Sequence, residues 1–164
     1  MEVMRFFHPV PHLSLAGSAD APALSRLYEE SWLDSGDPLD AGLLDLMRPL
    51  PGEVAAWMRG GFEIYRAEYQ GHLAGAVRCS FPTSTCHVDG LVVAPAQRRR
   101  GIGRQIAEHA LDRARRAGVT RVWTEASPQL AAALALFHSL GFKESVRIDG
   151  PPFRQPLVLL EMSI

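Results

Sequence analysis

Leu91-Val92-Val93-Ala94-Pro95-Ala96-Gln97-Arg98-Arg99-Arg100-Gly101-Ile102-Gly103-Arg104 is the stretch that decides how this chain is read. An apolar strand ends, a short basic loop follows, and glycines open a helix. The first turn of a helix leaves backbone N–H groups unpaired and carries the positive end of the macrodipole. Gly101 and Gly103 have no side chain to hold an anion away from those amides, and four arginines surround the same loop. Together these make a phosphate-binding site. A dinucleotide fingerprint would need Gly or Ala three positions after Gly103, where Ile106 stands, and the Gly-Lys-Ser/Thr of a Walker loop is missing. The plainer alternative is a solvated arginine loop whose glycines only shape a helix start. The preceding strand and the placement of the glycines weigh against it.

Working outward, Ile102, Ile106, Ala107, Ala110, Leu111 and Ala114 share one face of a helix that Gly118 stops. Thr120 to Glu125 then reads as a strand, and a strand–helix–strand unit of these lengths implies a parallel pair. Upstream, Phe62–Tyr69, Leu73–Phe81 and Cys86–Val93 read as an antiparallel meander, the first two joined by a tight turn at Gln70-Gly71. Before it, Val10 to Ala16 reads as a strand. Residues 21–33 read as an amphipathic helix with Asp20 as N-cap and Pro22 in its first turn. A second helical patch runs from Leu43 to Met47 and resumes at Val54, Trp57 and Met58 beyond Pro49 and Pro51. Downstream, Pro128–Leu140 is a helix ended by Gly141, and Phe142–Ile148 and Pro156–Ile164 are strands. The expectation is one mixed α/β domain over residues 1–164, a central, largely antiparallel sheet with about four helices.

Composition narrows the class. The chain has 164 residues, enough for one sizeable core, and 17 Lys+Arg against 18 Asp+Glu. The near-neutral balance hides a local one. Residues 98–121 hold eight of the sixteen arginines and two acids, Glu108 and Asp112, and arginine suits phosphate through paired hydrogen bonds. Lys143 is the sole lysine and there is no Asn. No apolar run approaches the ~20 residues of a membrane span, and the start lacks the pattern of a signal peptide, so a cytoplasmic protein with no membrane partner is expected. Cys79 and Cys86 are too few for a disulfide scaffold or a cysteine zinc site, and should stay thiols across their hairpin. Nucleic-acid binding by the arginines lacks interleaved aromatics and any helix-turn-helix or zinc signature.

Arg98-x-x-Gly101-x-Gly103 after Leu91-Val92-Val93-x-Pro95 resembles the signature of the GNAT family of N-acetyltransferases. Leu136-Phe137-His138-Ser139-Leu140-Gly141-Phe142 is similar to the family's second hallmark, and the element order is similar to its fold. The resemblance is specific from about residue 86 to 142, the implied CoA-binding core, with acceptor-side helices at about 20–60. It implies transfer of an acetyl group from acetyl-CoA to a primary amine of a small molecule or peptide, by direct attack and without a metal. Amides from Arg99 through Arg100, Gly101, Ile102 and Gly103 to Arg104 would hold the CoA pyrophosphate, with Arg98 beside them. Leu91, Val92 and Val93 would offer backbone to the pantetheine arm, lying in a gap between this strand and the strand at 120–125. A backbone N–H there can bind the thioester oxygen. The family's thiolate-protonating Tyr aligns with Phe137, which has no proton to give and is expected to pack on the pantetheine or the core. Leu130 stands near the place of a frequent Asn.

Acetylating an amine requires loss of a proton from the ammonium. His87 and Asp89 are two apart and share one face of a regular strand with Leu91 and Val93, unless a bulge intervenes. The family often places its basic residues there. Glu125, at the C-terminal end of its strand, is a third candidate. Each has a plainer role: Asp89 paired with an arginine, His87 as surface, Glu125 bracing the next loop. The family's acceptor side implicates Trp32, Asp34, Asp37, Asp40, Trp57 and the turn at 149–154, where aromatics and carboxylates suit a cationic amine. Dimerisation is expected through an exposed edge at Pro156–Ile164. The alternative to an enzyme is a non-catalytic acyl-CoA-binding or regulatory module, which a blocked or apolar acceptor cleft would favour.

Overall fold

The structure is a computed structural model that describes residues 9–33, 48–149 and 156–164. Its elements in chain order are β1 (His12–Leu15), α1 (Ala21–Leu33), α2 (Pro51–Arg59), β2 (Glu63–Tyr69), β3 (His72–Ser80), β4 (Thr85–Val93), α3 (Ile102–Arg116), β5 (Arg121–Ala126), α4 (Ala131–Ser139), β6 (Lys143–Ile148) and β7 (Leu157–Ser163). This is the expected order. The patch at 43–47, Asp34, Asp37, Asp40 and Arg154 lie outside the described residues. Asp20 is no N-cap: it ends a short 3-10 turn, and its carboxylate accepts from the Gly17 amide at 2.8 Å and from Arg66 at 2.7 Å. α4 begins at Ala131, three residues after Pro128, because Ser127 forms a turn first, its carbonyl accepting from the Leu130 amide.

One seven-stranded sheet runs β1-β2-β3-β4-β5-β7-β6, antiparallel except for β4 and β5. The β2–β3 turn has φ of 52° at Gln70 and 76° at Gly71, the left-handed pair that closes a tight hairpin. Two cores lie on opposite faces. Under α3, the six predicted residues Ile102, Ile106, Ala107, Ala110, Leu111 and Ala114 are all buried, against Cys86, Val88 and Val122 among others. On the other face Leu24, Leu27 and Tyr28 of α1 and Val54 of α2 pack on Ile64, Ala76 and Val92.

A bulge on β4 joins these two faces. Ala76 pairs with Val92 and Arg78 with Asp89, so β4 spends one residue more than β3 between the pairs. Gly90, at φ +57°, absorbs the turn. The extra residue reverses the alternation. Cys86 and Val88 enter the α3 core and Val92 the α1/α2 core, while Leu91 and Val93 pack back against the α3 core. His87 and Asp89 therefore do not share a face with Leu91 and Val93.

The β4–β5 ladder is short, with pairs Thr85–Arg121, Cys86–Val122 and His87–Trp123. β5 stays with β7 through Ala126 and β4 stays with β3 through Val93, so a gap opens between the parallel strands. The expected dimer edge is corrected: β7 lies inside the sheet between β5 and β6, and β6 is the edge on that side. No helix among the described residues is long and apolar enough to cross a membrane.

Candidate active site

The gap leads into a groove of about 400 Å³ lined by Leu91 to Val93, the Gln97–Arg99 loop, Gly101 to Gly103, Leu130 just before α4 and Leu136 on it. Gly101 is the left-handed N-cap of α3 at φ +76°, with open space where a Cβ would stand. A Cβ on Gly103 would lie 3.3 Å from Val93 Cγ2, so glycine lets the helix start close on the strand. The first α3 amide with a carbonyl partner is that of Gln105, at 3.2 Å from Gly101. The amides of Ile102, Gly103 and Arg104 have no acceptor among the described residues, as at any open helix start.

The arginines divide their labour. Arg98 donates from Nε to the Val93 carbonyl (3.2 Å) and from Nη2 to the Ser31 carbonyl, bracing the loop between β4 and α1. Arg99 lines the groove at φ +60°. Arg100 does not line it, and Arg104 bonds Glu108 at 3.0 Å and Ser139 at 3.1 Å. The four guanidinium groups thus have different surroundings, and the unpaired backbone N–H groups stand at the helix start beside the groove.

A second cavity, about 240 Å³, opens beside the groove and shares Trp32, Leu91, Leu130 and Ala133 with it. Tyr28, Trp57, Arg78, Asp89, Gly90, Glu125 and Phe137 also line this cavity. Phe137 is buried edge-on against Phe142 at 5.1 Å between centroids, and it borders this cavity rather than the groove.

The three acid–base candidates come together: ligand atoms of His87, Asp89 and Glu125 lie within 4.8 Å of one another. His87 Nε2 is 2.7 Å from Glu125 Oε2, and its ring stacks on Trp123 at 3.9 Å. Asp89 accepts from Arg78 with both oxygens, Oδ1 from Nε at 2.7 Å and Oδ2 from Nη2. Its plainer reading, pairing with an arginine, describes the geometry. Both oxygens of Asp89 are thus already engaged by a cationic side chain.

Sequence reasoning passed over Arg78 and Tyr28. Arg78 had a signal, as the one charge inside the apolar run 73–79. Tyr28 was read only as a core position at helical spacing. Burial holds its phenol well above the ordinary range, with Arg78 opposing and Asp89 adding to the rise. Its hydroxyl has no hydrogen-bond partner among the described residues. Cys79 and Cys86 are both free and buried. The neighbouring Cys86 thiol, followed by burial, pushes the Cys79 thiol up.

A strand bulge, a splayed parallel pair and an open helix start beside a carboxylate-bearing cavity define a fold class, and the comparisons agree with it. Residues 23–142 match the model of the acetyltransferase (GNAT) family, and the chain belongs to that family. It is 42% identical over 55 residues to the ribosomal protein bS18-alanine N-acetyltransferase of Escherichia coli, a match covering 34% of this chain and 37% of that enzyme. It is 26% identical over 128 residues to the E. coli N-acetyltransferase YjgM, covering 76% of this chain and 77% of that protein. Among solved structures, the PaiA N-acetyltransferase of Thermoplasma acidophilum in complex with coenzyme A superposes at a TM-score of 0.76, with 14% identity over 94% of this chain and 99% of that one.

Proposed function

We propose that this protein transfers an acetyl group from acetyl-CoA to a primary amine of a small molecule or peptide, by direct attack of the amine on the thioester. The observation that carries this is the β4–β5 gap, which stops pairing at His87 and runs into the unpaired amides of α3. In this reading the Ile102, Gly103 and Arg104 amides hold the CoA pyrophosphate. The backbone of Leu91 to Val93 lies along the pantetheine arm as an added strand would. Acetyl-CoA supplies the activated acyl group. The chain's own backbone beyond the Gly90 bulge supplies a donor for the thioester oxygen.

Glu125 with His87 is the proton acceptor for the incoming ammonium. Glu125 borders the cavity with an accessible carboxylate, 38% exposed, whereas both Asp89 oxygens are engaged by Arg78. His87 orients Glu125 and gives the proton a second resting place. Phe137 contributes shape, not a proton. The acceptor cavity is neither blocked nor wholly apolar, which supports an enzyme over a passive acyl-CoA binder.

Calorimetric titration with CoA, followed by acetyl-CoA turnover against a panel of amines, tests the reading. Micromolar CoA binding with turnover of at least one amine is expected. Absence of CoA binding would overturn it. Glu125→Gln is expected to lower kcat/KM about 100-fold, while CoA affinity holds.

A further inference from the structure

Two side chains that line the acceptor cavity carry hydrogen-bond donors with no partner among the described residues. The Arg78 guanidinium is held flat, its central carbon 4.1 Å from the Trp57 ring centroid and 4.8 Å from that of Phe62. Nε and Nη2 are committed to Asp89, and Nη1 has no partner among the described residues. The Tyr28 hydroxyl is likewise unpartnered and sits beside Gly90, where a Cβ would lie 3.0 Å from it. Burial keeps that phenol neutral, so it remains a donor at any working pH. Glu125 lines the same cavity, with a carboxylate oxygen within 4.8 Å of one on the Asp89 that Arg78 grips. The site thus presents an amine-seeking group beside a pair of oxygen-seeking ones.

Building on the acetyl-transfer reading above, we infer that the acceptor is an α-amino carbonyl compound with an apolar side chain, either an amino-acid amide or the N-terminal residue of a peptide. Its amine sits at Glu125, and its carbonyl oxygen accepts from Arg78 Nη1 and the Tyr28 hydroxyl. Amine and carbonyl on one α-carbon match adjacent groups of opposite preference. A plain alkylamine leaves both donors unsatisfied, a penalty a polar site imposes strongly. Charge separates the amide from the free amino acid. Arg78 is the one arginine lining the cavity among the described residues and is already paired with Asp89, so the free carboxylate of an amino acid would have to compete with Asp89 for it in a partly desolvated site. Trp32, Leu130, Phe137 and Leu157 on the walls set the preference for an apolar side chain.

The test uses leucinamide, leucine and isopentylamine, which is leucinamide without its carboxamide. The wild-type enzyme is expected to favour leucinamide over each of the others in kcat/KM. Tyr28→Phe and Arg78→Lys are each expected to shrink the leucinamide-to-isopentylamine ratio by about tenfold, the scale of one lost hydrogen bond to a buried donor. Both enzymes meet the same two amines, so their intrinsic basicities cancel in that change. An unchanged ratio in both variants, or free leucine as the best of the three, would overturn the inference. Turnover of other amines such as spermidine, with none of leucinamide, would reject the substrate class and leave acetyl transfer standing. Failure to bind acetyl-CoA or to acetylate any amine would reject the function as well.

Discussion

The Tyr28 hydroxyl finds no partner among the described residues, which weakens the fold. An unsatisfied buried hydroxyl costs about 1–3 kcal/mol. Tyr28→Phe removes the orphan and keeps the ring that packs edge-on to Trp57 at 6.1 Å. The variant without substrate is therefore expected to melt a few degrees higher than wild type in a calorimetric scan. A lower Tm would mean that the hydroxyl is already satisfied. Gly103 poses the opposite case. A Cβ there meets Val93 Cγ2 at 3.3 Å, so Gly103→Val must push the helix start off the strand that borders the groove. At least tenfold weaker CoA binding by titration is expected, with the far-ultraviolet spectrum retained. At Gly101 the open space means that a side chain acts through φ +76° alone, at about 1–2 kcal/mol.

Between elements, the Arg78–Asp89 pair ties β3 to β4 where the bulge breaks their ladder. Their side chains are only 18% and 16% exposed, so removing one partner leaves a charge poorly solvated. Arg78→Met is expected to cost roughly 2 kcal/mol in urea unfolding, below the range for fully buried pairs because some solvent reaches both groups. The double variant Arg78→Met/Asp89→Leu is expected to recover most of that loss, and simple additivity of the two single changes would argue against coupling. The β6 edge shows a different device. Between Glu144 and Val146 its pairing with β7 skips Ser145, a bulge flanked by Lys143 and Arg147 on a strand otherwise open to pairing. Bulges and charges of this kind blunt an edge. Deleting Ser145 should straighten the strand and produce concentration-dependent association by sedimentation velocity; a variant no more associated than wild type would remove the bulge from that role.

Across the whole molecule, the Glu63–Arg113 contact joins the second strand to α3, with the Tyr65 hydroxyl bonding Glu63 at 2.7 Å. Burial alone would raise the Glu63 carboxyl, but the hydrogen bonds from Arg113 and Tyr65 prevail and hold it below the usual range. A carboxylate lowered in the folded state adds stability that is complete above its unfolded value and lost as pH falls through the folded one. The Tm gap between wild type and Glu63→Gln is therefore expected to close on acidification from neutrality to about pH 3, below the ordinary glutamate range. A gap that stays constant with pH would show that the ion pair is not the source. The architecture was legible in sequence because periodicity is local: the α3 face and the glycine loop announce themselves within a dozen residues. The parts that escaped are non-local. Whether Leu91 shares a face with Asp89 depends on one extra residue measured against the neighbouring strand. The place of β7 inside the sheet depends on where β6 docks, and the partner of Asp89 lies eleven residues away across a hairpin. Gly90 also has a consequence for how the two substrates can diverge. In the proposed reaction, β4 addresses the acceptor with side chains ahead of Gly90, and beyond it the same strand addresses the acetyl donor with main-chain groups that every residue possesses. Substitutions at His87 or Asp89 can therefore rewrite the choice of amine while the means of holding the thioester stays chemically constant.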